Sequence, residues 1–429
     1  MNRPAVIAFF PEASFGSALN CIGIAQQLKR AGAIPVFMCH AGFTGIFSEY
    51  GFKEYHLPPA TSSDQQTEET WQSFVTTHLD AFNLDPLAQL ARYVAPTWEA
   101  IVDTVIQAES GLETLIKRIR PDAIILDNVV MFPAIANAGV PWVRVVSCAE
   151  TEISDPNVPS YLSGLVADDP ARPAFDARYL TTTAAAHDRY NAFRKSKGLQ
   201  ALPPGQFLET SNDLNLLLAP SAIRHERTNP LPDDRFVFLE GCVREEARFD
   251  TPSLPVDQGP LVYLSFGSLG AIDTNLIGRM TETFARLPAR FFVNVGGFME
   301  SYQLVPDNVY LGSWFPQPSV VAQADLFIHH GGNNSFCEAL YFGVPSLVMP
   351  YCWDGHDNAV RAAQTGTGLH MNRVNWTPEQ LGKVIMGLIA DQGMATKLQG
   401  ISAQMTAKRG VSEATSHILR ILGQSVKSE

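Results

Sequence analysis

Short apolar runs of five or six residues recur along the chain, each followed by a stretch whose apolar positions fall three or four apart. In the first half, AVIAFF, PVFMC, DAIILD and WVRVVS have the length and continuity of strands buried on both faces. Between the first two, Leu19, Ile22, Ala25 and Leu28 lie on one face of a predicted helix. In the second half LVYLSFG, RFFVNVG, NVYLG, DLFIHH and SLVMP repeat the pattern, with a helical stripe of Leu276, Ile277, Met280, Phe284 and Leu287. Strands alternating with helices predict parallel sheets covered by helices on both faces. The two halves share this architecture without sharing a sequence repeat.

Residues 226–260 break the rhythm with a Pro- and Asp-rich texture around one strand-like RFVFLEG, which makes them the linker candidate. The boundary is therefore set near residue 250. The predicted units are 1–250, 251–405 and a terminal amphipathic helix, 406–429, free to pack back on the first unit. Residues 60–115 have helical spacing and carry Trp71, Phe74, Phe82, Tyr93 and Trp98, which suit either helix packing or the wall of an apolar pocket. Thr377 and Gln380 form a capping box ahead of Leu381, Val384, Ile385 and Leu388.

At 429 residues the chain exceeds one ordinary core, in keeping with two domains. Its 46% hydrophobic and 17% charged residues fit a globular protein. A net charge of −12 argues against nucleic acid or an anionic membrane as the main partner and favours a small molecule. The six cysteines, Cys21, Cys39, Cys148, Cys242, Cys337 and Cys352, have neither zinc-site nor disulfide-framework spacing. With no apolar run near the roughly 20 residues of a membrane span and a first segment that reads as a buried strand, the expected location is cytoplasmic.

The densest chemistry lies in HHGGNNSFCEAL, residues 329–340, at a predicted strand-to-helix turn. A helix start presents unpaired N–H groups and positive potential, and small residues ahead of it admit a phosphate. Asn334 and Ser335 add donors, and His330 at the strand end can reach a second phosphate. Taken alone, Gly331 and Gly332 equally suit a tight turn and Asn333 a helix cap. Glu338, one turn into the helix, suits a ribose diol; WFPQ upstream offers the Trp314 indole for a base and Gln317 for the sugar. Downstream, PYCWDGHDNA brings Asp354 and Asn358 to the next strand end.

Together WFPQ, HGGNNSFCE, GVP and PYCWDGHDN resemble the donor signature of the GT-B glycosyltransferases that include plant UDP-glucosyltransferases and bacterial macrolide glycosyltransferases. The resemblance implies an α/β fold of GT-B architecture, two Rossmann-like β/α/β domains facing across a cleft. It also implies transfer of a sugar from a UDP-sugar to a small hydrophobic or aromatic acceptor, with inversion at the sugar carbon and no metal or other cofactor. Carried over, Trp314 stacks on the base, Gln317 and Glu338 hold the ribose, and Ser268, His330, Gly332, Asn334 and Ser335 hold the diphosphate. Asp354, with Asn358 beside it, meets the sugar. Phe15, Gly16, Trp71 and Trp98 would border the acceptor. The assembly would be a monomer or a homodimer.

Two positions depart from the signature. The loop after the first strand, EASFGSALN, has Ser17 where the family carries its catalytic histidine, while Asp127 matches the aspartate that orients it. A serine hydroxyl is too weak a base near neutrality. The acceptor then ionises unaided, or attacks through carbon or nitrogen, or another group takes its proton, with Asp127, Glu12, His40 and His78 as candidates. The remaining alternative is a catalytically impaired sugar-nucleotide sensor or partner subunit. A related UDP-sugar epimerase fits the sugar-side layout less well. Gly355 stands where a sugar-contacting glutamine is common, leaving room for a different sugar or for His356.

Overall fold

The computed structural model describes residues 3–12, 15–58, 76–241 and 244–423, without the side chains of Phe15, Ser17, Ala41 and Ser268. Two all-parallel sheets form its framework. The first contains β1 (Val6–Pro11), β2 (Ile34–Cys39), β3 (Lys53–His56), β4 (Ala123–Asp127), β5 (Trp142–Val146), β6 (Leu214–Leu217) and β7 (Phe236–Phe238), in the order β3-β2-β1-β4-β5-β6-β7. The second contains β8 (Leu261–Ser265), β9 (Arg290–Asn294), β10 (Val309–Gly312), β11 (Leu326–His329), β12 (Ser346–Val348) and β13 (Gly368–His370), in the order β10-β9-β8-β11-β12-β13. In each, the order reverses beside the first strand, the place where open α/β sheets bind ligands at their carboxyl edge.

The apolar runs read from the sequence all become strands, and all but NVYLG, the edge strand β10, lie inside a sheet, where cover on both faces favours apolar side chains. The long helices used below are α1 (Phe15–Arg30), α2 (Ala95–Ile119), α3 (Arg172–Ser196), α4 (Thr274–Phe284), α5 (Asn333–Phe342), α6 (Gly355–Thr365), α7 (Pro378–Ala390), α8 (Gln392–Ala407) and α9 (Gly410–Ile421). The capping box at Thr377 and Gln380 starts α7. Strand-like RFVFLEG supplies β7, the edge strand of the first sheet, although it lies within the Pro-rich stretch.

Helix α3 gives no clear apolar stripe in the sequence. Its buried face carries Thr183, His187, Asn191 and Arg194 alongside Phe175, Ala186 and Tyr190. Hydrogen bonds make that burial possible: Asn191 binds Leu202 O and N, and Arg194 pairs with Glu209 at 3.0 Å.

Helix α9 crosses back to the first sheet. Ala414, Ile418 and Leu419 join a core with Ile22, Ala25, Val237 and Leu239, and Gln27 Nε2 donates to Ser412 Oγ at 3.2 Å. The crossing is close at Gly410, where a Cβ would stand 2.4 Å from Phe238 O and 2.7 Å from the Leu239 carbonyl carbon. Gly410→Val is expected to push α9 off this edge at a cost of about 1–3 kcal/mol. A denaturant midpoint equal to wild type would contradict this packing.

Candidate functional site

Asp325 pairs with Leu261 N at 2.7 Å and fixes the entry of β11, which delivers His329 and His330 to the carboxyl edge of the second sheet. His329 is wholly buried and its Nδ1 accepts from Gly331 N at 3.0 Å. Burial holds its imidazole down to about 3, so it is a neutral structural acceptor. His330 stacks on Tyr351, centroids 4.8 Å apart. Burial first, and the Arg373 cation second, press it down to about 4, and it too is neutral near pH 7. A neutral imidazole carries one N–H, here drawn toward the Ser265 backbone, and can offer a ligand a dipole and not a cation.

The two glycines after it are required sterically. Gly331 has φ +89°, and its Cβ would fall 2.5 Å from Gly355 O; a Cβ on Gly332 would fall 2.4 Å from His330 Nε2. Gly267, in the turn after β8 that also carries Ser268, has φ +69°, and a Cβ there would meet the His330 ring at 3.0 Å. His330 is thus enclosed by two backbone turns, a geometry that only side-chain-free positions allow.

From Gly332 the helix α5 starts into the seam between the domains. Asn333, read from the sequence as no more than a cap, is buried and donates its amide to Leu218 O at 2.6 Å and Ser147 O at 3.1 Å, at the ends of β6 and β5. Asn334 Nδ2 reaches Gly16 O at 2.9 Å, in the first turn of α1 beside Ser17. The helix start therefore joins both carboxyl edges.

Glu338 and Ser335 lie one turn on, both buried. Gln317 Nε2 donates to Glu338 Oε2 at 2.7 Å and to Ser335 Oγ at 3.1 Å. The other oxygen of Glu338 accepts from Arg244 Nη1 at 3.2 Å, a partner from the interdomain linker absent from the sequence reading. Arg244 is itself paired with Glu246, which accepts from Tyr50 Oη of the first domain at 3.0 Å. Burial raises the Glu338 carboxyl against the opposing pull of Arg244. Trp314 is 66% exposed beside this group, an indole face open to a planar ligand.

Asp354 caps α6 and is pushed up to about 8, by burial first and then by the Asp357 carboxylate. Asp357 crosses the seam: it accepts from Thr151 Oγ1 at 2.6 Å and from Leu162 N and Gly164 N at 2.8 Å each. Burial raises it to about 6. Asn358 is turned inward, its amide bound to Gly331 O at 2.8 Å, so it supports the turn from behind. His356, beside Gly355, is committed to Gln89 Oε1 at 3.0 Å.

On the first domain, Asp127 ends β4, fully buried. Ser147 Oγ donates to it at 2.5 Å and Cys21 Sγ lies 3.7 Å from its other oxygen. Trp98 is buried, stacked on Phe207 at 3.8 Å, and belongs to the core behind the site. Trp353, at φ +56°, and Tyr161 extend that aromatic wall across the cleft, the two indoles 5.7 Å apart. Sequence reading passed over both; the quoted PYCWDGHDNA contained Trp353. Phe15 and Ser17 have only their backbone described, in α1, and Trp71 lies outside the described residues, as do the side-chain contacts of Ser268. A small cavity behind α5 is lined by Glu150, Asn333, Asp357 and Arg361; Glu150 is bound by Arg227, and Arg361 by the Ile223 carbonyl. Among the described residues no helix is long and apolar enough to cross a membrane.

Two outcomes test this geometry. Asn333→Ala removes two buried hydrogen bonds across the seam, and a loss of about 1–3 kcal/mol in chemical unfolding is expected; an unchanged midpoint would refute the seam contact. Folded Asp354 keeps its proton to about pH 8, whereas in the unfolded chain it ionises near its ordinary 3.8, so its stabilising contribution is complete below pH 4 and lost as pH rises to 8. Asp354→Asn should raise the melting temperature at pH 9 relative to wild type and leave it nearly level at pH 4. A gain that is the same at both pH values would exclude the buried acid.

The arrangement matches known proteins. Residues 292–420 match the family model described as erythromycin biosynthesis protein CIII-like, C-terminal domain. The chain is 24% identical to oleandomycin glycosyltransferase of Streptomyces antibioticus over 420 residues, 96% of this chain and 90% of that protein. It is 25% identical to the NDP-glycosyltransferase YjiC of Bacillus subtilis over 244 residues, 56% of this chain and 61% of that protein. Among solved structures, the kitacinnamycin glycotransferase aligns with a TM-score of 0.72 at 21% identity, covering 98% of this chain and all of that one. The glycosyltransferase VinC in complex with DTDP aligns at 0.64 and 18%, covering 97% and 99%.

Proposed function

From the GT-B fold that the chain shares with these glycosyltransferases, we propose that it transfers a sugar from a UDP-sugar, with inversion, to a small hydrophobic or aromatic acceptor. One observation carries this reading: α5 starts at a glycine turn that encloses the neutral His330, with Glu338 one turn on and an exposed Trp314 indole in the segment before β11.

In this reading the base stacks on Trp314. The ribose hydroxyls approach Glu338, whose oxygens each have lone-pair capacity beyond the bonds from Gln317 and Arg244. The diphosphate lies at the start of α5, where backbone N–H groups and the His330 N–H meet the charge that grows as the bond to the sugar breaks. Because these donors are fixed before the reaction, no metal is required in the scheme. Asp354, protonated near neutrality, is able to donate to a sugar oxygen as well as accept from one. The aromatic wall of Tyr161 and Trp353 suits a flat or apolar acceptor, and its closeness to both domains helps to exclude water.

The test is release of nucleoside diphosphate by the purified protein, followed by chromatography over a panel of UDP- and dTDP-sugars with phenolic and alcoholic acceptors. Turnover with UDP donors unaffected by EDTA is expected. Faster turnover with dTDP donors would overturn the nucleotide assignment, and none with any donor would overturn the transfer. His330→Ala should weaken binding of UDP roughly tenfold to a hundredfold, the worth of one hydrogen bond to a charged group. Calorimetry giving equal affinities would remove His330 from the phosphate site.

A further inference from the structure

The position of Ser17 leaves the reaction without its expected base, and the sealed state of Asp127 removes the nearest substitute. A carboxylate with no exposed surface, held by Ser147 and Cys21, has no path to an acceptor in the cleft. Resting on the transferase reading above, we propose that Glu12 is the proton acceptor for the attacking hydroxyl.

Three observations converge on this residue. First, Glu12 follows the last residue of β1 at the carboxyl edge, and its N–H donates to Asp127 O at 2.7 Å, so it stands over the buried aspartate, one step closer to the opening. Second, alternation along β1 sends Ala8 and Phe10 to the face that holds Phe132, Trp98 and Phe82, with Phe10 edge-on to Phe132 at 4.9 Å. Glu12, half-buried, is the next position of that alternation, and its backbone extends the β1–β4 ladder by one bond, which assigns it to the aromatic side of the sheet. Third, the thiol of Cys148, two residues past β5, is raised by burial first and then by the carboxylates of Asp354 from the second domain and of Glu152 and Glu12 from the first. Glu12 and the residue assigned to the transferred sugar, from opposite domains, thus share Cys148 as a neighbour. An acceptor between them meets the sugar on one side and a carboxylate on the other.

The other candidates are less well placed. His78 lies edge-on to Tyr93, 6.2 Å between centroids, beside the entrance to the 79–94 helical turns. His40 follows β2, one strand farther from β4 and β5, its ring 5.8 Å from Phe10.

In the step itself, the acceptor oxygen forms a bond to the anomeric carbon as the bond from that carbon to the diphosphate oxygen breaks. The electron pair of the breaking bond leaves on the diphosphate. The acceptor's proton passes to a Glu12 carboxylate oxygen, and the anomeric configuration inverts. A carboxylate is a weaker base than imidazole, so it assists most when the hydroxyl becomes acidic late in attack.

The experiment compares wild type, Glu12→Gln, Glu12→Asp and His40→Ala with UDP-glucose and dTDP-glucose as donors. Its acceptors are benzyl alcohol, which needs a base, and 4-nitrophenol, which ionises near neutrality without one. Glu12→Gln is expected to lose about 100-fold in kcat on benzyl alcohol and less than tenfold on 4-nitrophenol, with UDP affinity by calorimetry unchanged and Glu12→Asp partly active. Equal losses on the two acceptors, full activity of Glu12→Gln, or a base-dependent loss in His40→Ala instead would overturn the assignment. Wild-type protein that binds UDP but turns over neither acceptor would overturn the transferase reading itself, a result separate from any difference among the variants.

Discussion

The start of α5 has to satisfy two demands in the same few residues. Its backbone, in the proposed reading, stays open to an anion, and its first side chain binds the carbonyl ends of β5 and β6 from the other domain. A buried amide making two hydrogen bonds is stable only where both carbonyls are also out of water. The two domains are therefore joined at the very place where the ligand would enter. The glycines before Asn333 follow from that demand, since any side chain there would strike Gly355 or His330.

Dehydration along this seam explains the electrostatics around it. Asp354 and Asp357 are three residues apart at the start of α6, and both are raised because water is withdrawn from them. Asp357 offsets much of this through two backbone N–H groups and a hydroxyl from the first domain. At Asp354 the Asp357 and Glu152 carboxylates add to burial, and its carboxyl is pushed up to about 8. The linker adds a third contact, the series Tyr50, Glu246, Arg244 and Glu338, which ties the proposed ribose site to the first domain through charged groups that a monomeric view of either domain would leave unpaired.

Much of this was legible in the residues. Nine apolar runs became strands, eight of them inside a sheet where burial on two faces selects apolar residues, and the turn at 329–335 was legible because its glycines and donors crowd a strand-to-helix junction. Helix α3 was not, since its buried face is polar and pays its desolvation through partners distant in sequence, such as Glu209 and Leu202. Asn333 looked like a cap; its partners are more than 100 residues away. Trp98 suited a pocket wall or a core equally by spacing, and the structure stacks it on Phe207, with Trp353 of the other domain beyond it.

By itself, the sequence determined the strand and helix periods, the two-domain division of the fold and the turn chemistry at residues 329–335. Those are local properties, set by which side chains alternate and where a backbone can bend. Only the tertiary structure decided which polar groups lose their water and which remain open: that Asp127 is sealed, that Glu338 is shared with Arg244, and that Asp354 holds a proton. Hydration is a property of all the neighbours a group acquires, and most of those neighbours come from the other domain.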